Sequence, residues 1–234
     1  MANRPIYIPS SDPNQFVRTQ SISFEWIKGM AFSQKQKCVD SLHKVAAESL
    51  GFKKILEVSS KSRNQLGVKL SAFNLMIENK EKNLKFSVEC AFQSGKIFEN
   101  GGPFPEILKL NSREAKKYFR DKAYLGQIIG FKSNNYKWSN YPTTMFYDWL
   151  YINALSRQKK LYDELMSYEV FTDIEFNPQY SKNCQAYSVA LFVALNKRNL
   201  LDKAISSQES FQNIIASKEI NNAHEDQSKQ PQLL

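Results

Sequence analysis

Residues Ser87 to Phe98 read SVECAFQSGKIF. The spacing predicts a helix that sets Glu89, Phe92, Gln93 and Lys96 at i, i+3, i+4 and i+7, on one face across two turns. An acid, a ring, an amide and an amine then line a wall that otherwise packs inward. Glu89 stands in the first turn, where the helix dipole favours a carboxylate. Lys96 stands about 10 Å further along the axis, too far for an intrahelical ion pair and far enough to bracket a ligand. Glu early and Lys late is also ordinary helix electrostatics, so spacing alone leaves both readings open.

Before this stretch, Val68 to Glu78 contains LSAFNLMI and reads as a strand. Ser71 and Asn74 beside Phe73 need hydrogen-bond partners there, supplied by a strand end or bulge or by a bound ligand. Lys80, Glu81 and Lys82 mark a turn between the two segments. Upstream, SSKSRNQLG is a polar loop, Ile55 to Ser59 a strand, and Ile22 to Trp26 a short strand. Ser33 to Ser49 has Val39, Leu42, Val45 and Ala46 at helical spacing, with Ser33 as N-cap and Gly51 as the closing glycine. Residues 1–21, with Pro5, Pro9 and Pro13, read as an extended arm.

After it, Gly101, Gly102, Pro103 and Pro105 break the helix. Ser112 to Ala123 is a short basic helix capped by Ser112, and Tyr136 to Pro142 a loop holding Trp138. A strongly apolar helix follows from Phe146 to Ser156, continued or followed by Lys159 to Ser167. Val170 to Asn183 is an irregular polar loop carrying Asp173, Glu175, Asn177 and Asn183 ahead of a buried helix from Gln185 to Leu195. A surface Asx-rich turn is the competing account of that loop. Phe211, Ile214 and Ile215 add an amphipathic turn or two, and a polar, disordered tail ends the chain. The expected fold is α+β, a single helix-rich domain with a small β-sheet. It runs over residues 22–205, with residues 206–234 as a C-terminal helical extension and tail.

The composition excludes several classes. The 234 residues, with 42% hydrophobic and sixteen Phe, suffice for one generous core. No apolar run reaches the roughly 20 residues that cross a bilayer. No secretory signal is seen, and three scattered cysteines point to a reducing cytoplasmic setting without a disulfide framework. Two histidines and no C-x-x-C spacing leave no expected metal site. Neither phosphate-binding glycine motif occurs, so no nucleotide cofactor is expected. Cys90 beside Glu89 reads as packing rather than as a nucleophile. A formal net charge of +9 suits an anionic partner, nucleic acid first, or simply a soluble lysine-rich surface.

The three polar constellations, in this order, resemble the NADAR superfamily of YbiA-like N-glycosidases. Its Glu-x-x-Phe-Gln-x-x-Lys element is intact from Glu89 to Lys96. Its Phe-Ser-Asn-Phe element stands here as Leu70-Ser71-Ala72-Phe73, with Ala in place of Asn and Asn74 displaced. The late polar loop keeps Asp173 and Asn183 but lacks the glycines, and a Trp within the family corresponds to Trp138 or Trp149. The segments IKGMAFSQKQKCVDSLH, FENGGPF, FYDWLYINAL and FTDIEFNP are similar to the antitoxins paired with DarT-type toxins, over Phe24 to about Arg198.

The resemblance implies an NADAR/YbiA-like fold and removal of ADP-ribose from guanine bases in DNA by N-glycosidic cleavage. The partners it implies are ADP-ribosylated DNA, ADP-ribose as product and a DNA ADP-ribosyltransferase toxin. Glu89 is then the carboxylate at the ribose, and Asp173 the second acid or base. Lys96 holds the diphosphate or forms a Schiff base at the sugar. Phe73, Phe92 and Trp138 stack on bases, and Ser71, Asn74, Gln93, Asn177 and Asn183 bind ribose and phosphate. Two alternatives stand: an N-glycosidase on a free ribosylamino-pyrimidine metabolite, and a non-catalytic antitoxin that binds toxin or modified DNA.

Overall fold

A computed structural model describes residues 1–79, 83–142 and 144–216. In chain order they form β1 (Ala2–Pro9), β2 (Val17–Phe24), α1 (Phe32–Leu50), β3 (Ile55–Glu57), α2 (Gln65–Leu70), β4 (Met76–Asn79), β5 (Leu84–Ser87), α3 (Val88–Ser94) and β6 (Lys96–Phe98). There follow α4 (Ser112–Lys117), β7 (Ile128–Ser133), β8 (Tyr136–Ser139), α5 (Met145–Ser156), α6 (Lys159–Leu165), β9 (Val170–Thr172), α7 (Gln185–Lys197), α8 (Leu201–Ser206) and α9 (Gln208–Ala216).

The main sheet runs β2-β1-β9-β3, antiparallel except for the parallel pair of β3 with β9. Alternation along its strands decides what each face covers. Ile6 and Ile8, with Ile22, Phe24 and Val170, turn toward Cys38, Val39, Leu42 and Ala46 of α1. Tyr7 and Phe171, one residue out of phase, turn to the opposite face, where Tyr7 meets the ring of Tyr187 edge-on at 5.8 Å. The helix behind that face, α7, is buried at every residue from Ala186 to Leu195, and α5 is buried nearly all round. Helices without a polar side belong in the middle of a fold, and these two form its central layer. A smaller antiparallel sheet, β6-β7-β8, and the β4–β5 hairpin complete an α+β domain rich in helix, as expected.

The structure corrects several expectations. Residues 1–21 are extended but are no arm: β1 is paired on both edges, and Ile6 and Tyr7 are fully buried. The turn between β1 and β2 is tied down by the Arg198 guanidinium, which donates to the carbonyls of Ser10, Asp12 and Gln15 at 2.6–2.7 Å. The expected strand at LSAFNL is the end of α2 and a turn, with strand beginning only at Met76. Asn64 caps α2 by accepting from the Leu66 N–H, so part of the expected polar loop is helical. Ser33 lies inside α1 rather than capping it, whereas Gly51 closes it in the left-handed region at φ 74°. Asn111, not Ser112, caps α4, through a reciprocal pair with Glu114. Trp138 is on strand β8, not in a loop. The predicted turn at Lys80 to Lys82 and the predicted disordered tail lie outside the described residues.

Candidate active site

The motif from Glu89 to Lys96 is not one helix. It starts as predicted, with Ser87 accepting from the Cys90 N–H at 3.1 Å as N-cap. It stops after two turns because other segments take its carbonyls. The Ser94 carbonyl accepts from Phe104 N–H at 2.8 Å, and the Gly95 carbonyl from Lys132 N–H at 2.7 Å. Gly95 passes so close to β7 and α5 that a Cβ there would sit 2.8 Å from both the Lys132 carbonyl oxygen and a Phe146 ring carbon. Lys96 is therefore the first residue of β6, and the shared wall is built from a helix end and a strand start.

On that wall Glu89 is buried, and its Oε1 accepts from the Gln93 amide at 2.9 Å. Burial raises its pKa, an effect opposed by the Gln93 bond and by the charges of Lys116 and Lys96. With Nε2 committed to Glu89, Gln93 Oε1 is buried and has no hydrogen-bond partner. The Lys96 ammonium lies 5.2 Å from the ring centroids of both Phe92 and Phe119. Burial lowers its pKa to about 8 despite the attraction of Glu89. The two side chains form no direct ion pair, yet each feels the other's charge.

A chain of hydrogen bonds joins this wall to the late loop through Ala72. The Ala72 carbonyl accepts from the Glu89 N–H at 3.0 Å, and the Ala72 N–H donates to Gln185 Oε1 at 2.7 Å. The Gln185 side chain in turn bonds Asp173, the residue just after β9. Asp173 also accepts from the Glu175 N–H at 3.0 Å, and burial raises its pKa. Lys116 on α4 acts on the charge of both Glu89 and Asp173 and lies 5.4 Å from the ring centroid of half-buried Phe73. The fully enclosed Tyr147 hydroxyl is held protonated by burial, then by the charges of Glu89 and Asp173 among others. Lys116 and Tyr147 thus feel both Glu89 and Asp173, which brings Glu89, Gln93, Lys96, Phe73 and Asp173 into one neighbourhood.

Other predicted residues have different tasks. Trp138 is 4% exposed and packs on Phe146, Trp149 and Phe211, so neither face of its indole is open to a base. Phe92 is likewise enclosed by Phe131, Phe146 and Tyr147. Ser71 is buried and organises its turn, its carbonyl accepting from Asn74 and Leu75 at 2.8 Å. Asn74 folds back to donate to the Val68 carbonyl at 2.8 Å. Asn177 accepts from the Gln179 N–H in an Asx turn, the competing account of that loop. Asn183 Oδ1, by contrast, is buried without a partner. Lys116 and Gln185 were not singled out from the sequence; the signal for the latter was a polar residue opening an otherwise apolar helix. Cys90 is buried packing against the Leu110 carbonyl.

A cavity of about 620 Å³ lies behind α3, where Ala91 and Ser94 face Phe86, Lys132 and Trp149. It contains none of the predicted site residues, and the buried, charge-shifted groups Glu89 and Asp173 cluster away from it. Among the described residues no three His, Cys, Asp or Glu side chains group as metal ligands, and no helix is long and apolar enough to cross a membrane.

The family model for DarT1-associated NADAR antitoxins matches residues 2–225. No curated protein matches the chain. The chain belongs to the DarT1-associated NADAR antitoxin family, and the match takes in the N-terminal strands as well as the segments that carry the motifs.

Proposed function

We propose that this antitoxin-family member is an N-glycosidase that removes ADP-ribose from guanine in DNA, reversing the work of a DNA ADP-ribosyltransferase toxin in the cytoplasm. The observation that supports this most directly is the pairing of Glu89 with Lys96. A buried carboxylate and a half-buried amine lie close enough to feel each other's charge without neutralising each other in an ion pair. Burial leaves a usable fraction of Lys96 as free amine near neutral pH, which is what a nucleophile requires.

In this reading the C1–N bond between ribose and guanine breaks, its electron pair leaving with the base, while Asp173 delivers a proton to the base. Positive character at C1 is stabilised by Glu89. The Lys96 amine bonds C1, the ring opens as O4 gains a proton and the amine loses one, and an imine forms. Water hydrolyses it, releasing ADP-ribose and restoring the amine. Gln93 Oε1 and Asn183 Oδ1 are acceptors in want of donors, which ribose hydroxyls and guanine N–H groups supply. Phe73 is the ring best placed to stack on a base, with Lys116 beside it.

Glu89→Gln is expected to abolish release of ADP-ribose from a modified oligonucleotide while leaving binding intact; near-normal turnover refutes the assignment. Borohydride added during turnover traps an adduct on Lys96, and no adduct assigns Lys96 to the diphosphate instead. Assaying a free ribosylamino-pyrimidine in parallel separates the two glycosidase readings. Binding of toxin or modified DNA without turnover of either substrate identifies a non-catalytic antitoxin.

A further inference from the structure

We propose that Glu57 is a positioning residue for Asp173, gripping both of its chain neighbours from the adjacent strand. The proposal rests on the acid role given to Asp173 above. Glu57 is the last residue of β3 and pairs in the parallel ladder with Thr172, the residue before Asp173. Its side chain, 2% exposed, reaches to both sides of Asp173. Oε2 accepts from Thr172 Oγ1 at 2.6 Å, and Oε1 from the Ile174 N–H at 2.9 Å. Below this, the Val58 N–H donates to the Thr172 carbonyl at 2.7 Å. Asp173 therefore hangs between two clamped residues, with only its side chain left to aim.

The donors around Glu57 also say where its charge sits. Ser59 Oγ lies 2.6 Å from Oε1 and already accepts from the Lys61 N–H, so its own proton points to Glu57. The Ile174 amide can only donate. Thr172 spends its hydroxyl proton on Glu57 and so accepts from His43 Nε2–H at 2.8 Å. Burial lowers the His43 pKa to about 4, so that ring is neutral and this tautomer is the one the network selects. Three donors converging on two oxygens solvate a carboxylate rather than a carboxylic acid.

Burial raises the pKa of Glu57 and of Asp173, and the two interact, so that charge on one carboxyl disfavours charge on the other. Two buried carboxyls this close cannot both ionise near neutral pH, so one proton serves the pair. The three donors favour charge on Glu57, so in this proposal the shared proton is left to Asp173, where a departing base needs it. Other groups act on Asp173 from every side. Arg4 and Tyr7 lie on β1, Lys116 on α4, Tyr147 and Tyr151 on α5, Glu175 on the following turn, and Cys184 and Gln185 at the head of α7. Glu57 alone among them is bonded to both flanking residues. Its signal in the sequence was an acid inside the apolar strand Ile-Leu-Glu-Val.

The test is Glu57→Gln, which keeps the shape and an acceptor for Ile174 but removes the charge. With ADP-ribosylated oligonucleotide, kcat is expected to fall about 10- to 100-fold, part of the roughly 10²–10⁴-fold that a positioned acid contributes, with KM nearly unchanged. The alkaline limb of the kcat profile should move to lower pH as Asp173 gives up its proton earlier. An independent reading is the carboxyl-carbon NMR titration of Asp173 in protein labelled at aspartate. Its midpoint should drop by about one unit or more in the variant, and thermal unfolding checks that the fold is kept. An unmoved Asp173 midpoint overturns the proposal whether or not the wild type is active. A wild type that titrates as expected but releases no ADP-ribose overturns the functional reading instead.

Discussion

Lys96→Met should stabilise this protein while destroying its activity. The ammonium of half-buried Lys96 lies against the rings of Phe92 and Phe119, and desolvation lowers its pKa from 10.5 to about 8. At about 1.36 kcal/mol per unit, the folded state disfavours the charged form by ~3 kcal/mol relative to the neutral one. Methionine keeps an unbranched apolar chain against both rings and forfeits two cation–π interactions, worth about 0.5–1 kcal/mol each. The net gain near neutral pH is about 1–2 kcal/mol, or roughly 2–8 °C in melting temperature for a chain of this size. The sign with pH follows from proton counting. Between pH 8 and 10.5 the unfolded lysine binds more protons than the folded one, so wild-type stability rises with pH there. The variant lacks that rise, and its advantage should shrink as pH climbs toward 10.5. Thermal unfolding of both proteins near neutral pH and near pH 10 makes the comparison. A variant that melts below its parent near neutrality, or a difference that does not change with pH, refutes the reasoning.

Three further outcomes are expected. Gly67→Ala would set a Cβ 1.9 Å from the Glu57 carbonyl oxygen and 2.4 Å from Ser62 Oγ, forcing α2 off β3; chemical denaturation should show destabilisation of at least ~3 kcal/mol. Gly51→Ala has open space and only an unfavourable φ of 74° to bear, and should cost about 1 kcal/mol in the same assay. Arg113, Lys117 and Arg120 are exposed around the helix that carries Lys116 and stand in none of the ion pairs among the described residues. The Arg113→Gln/Lys117→Gln double variant should weaken DNA binding and flatten its log–log salt dependence by about 0.7–0.9 for each phosphate no longer neutralised. An unchanged slope in a binding titration over a salt series places the DNA elsewhere.

Glu89, Gln93 and Lys96 stand out in the sequence because each puts a polar group in a segment otherwise bound for the interior, whereas it is the resemblance to the NADAR superfamily that groups them with Asp173. Their geometry is not legible there. Spacing predicts a helix through Lys96, yet the carbonyls of Ser94 and Gly95 are claimed by Phe104 and Lys132, far enough along the chain that no local pattern announces them. Trp138 suggests a stacking ring because an indole in a loop suits a base platform. Pairing of β8 with β7 turns it inward onto Phe211 instead.

The mixed α+β character and the long helices were readable from the amino acids alone, since these depend on local periodicity and on residue type. Packing between distant segments makes the N-terminal segment into core strands and LSAFN into a turn, and lets Ala72 and Gln185 connect Glu89 to Asp173. It also supplied Glu57, whose value lies in facing Thr172 and Ile174 from another strand. The physical reason is the same in each case. A backbone donor or acceptor, or a buried charge, is satisfied by whichever group lies across from it, and what lies across is set by packing between segments far apart in the chain.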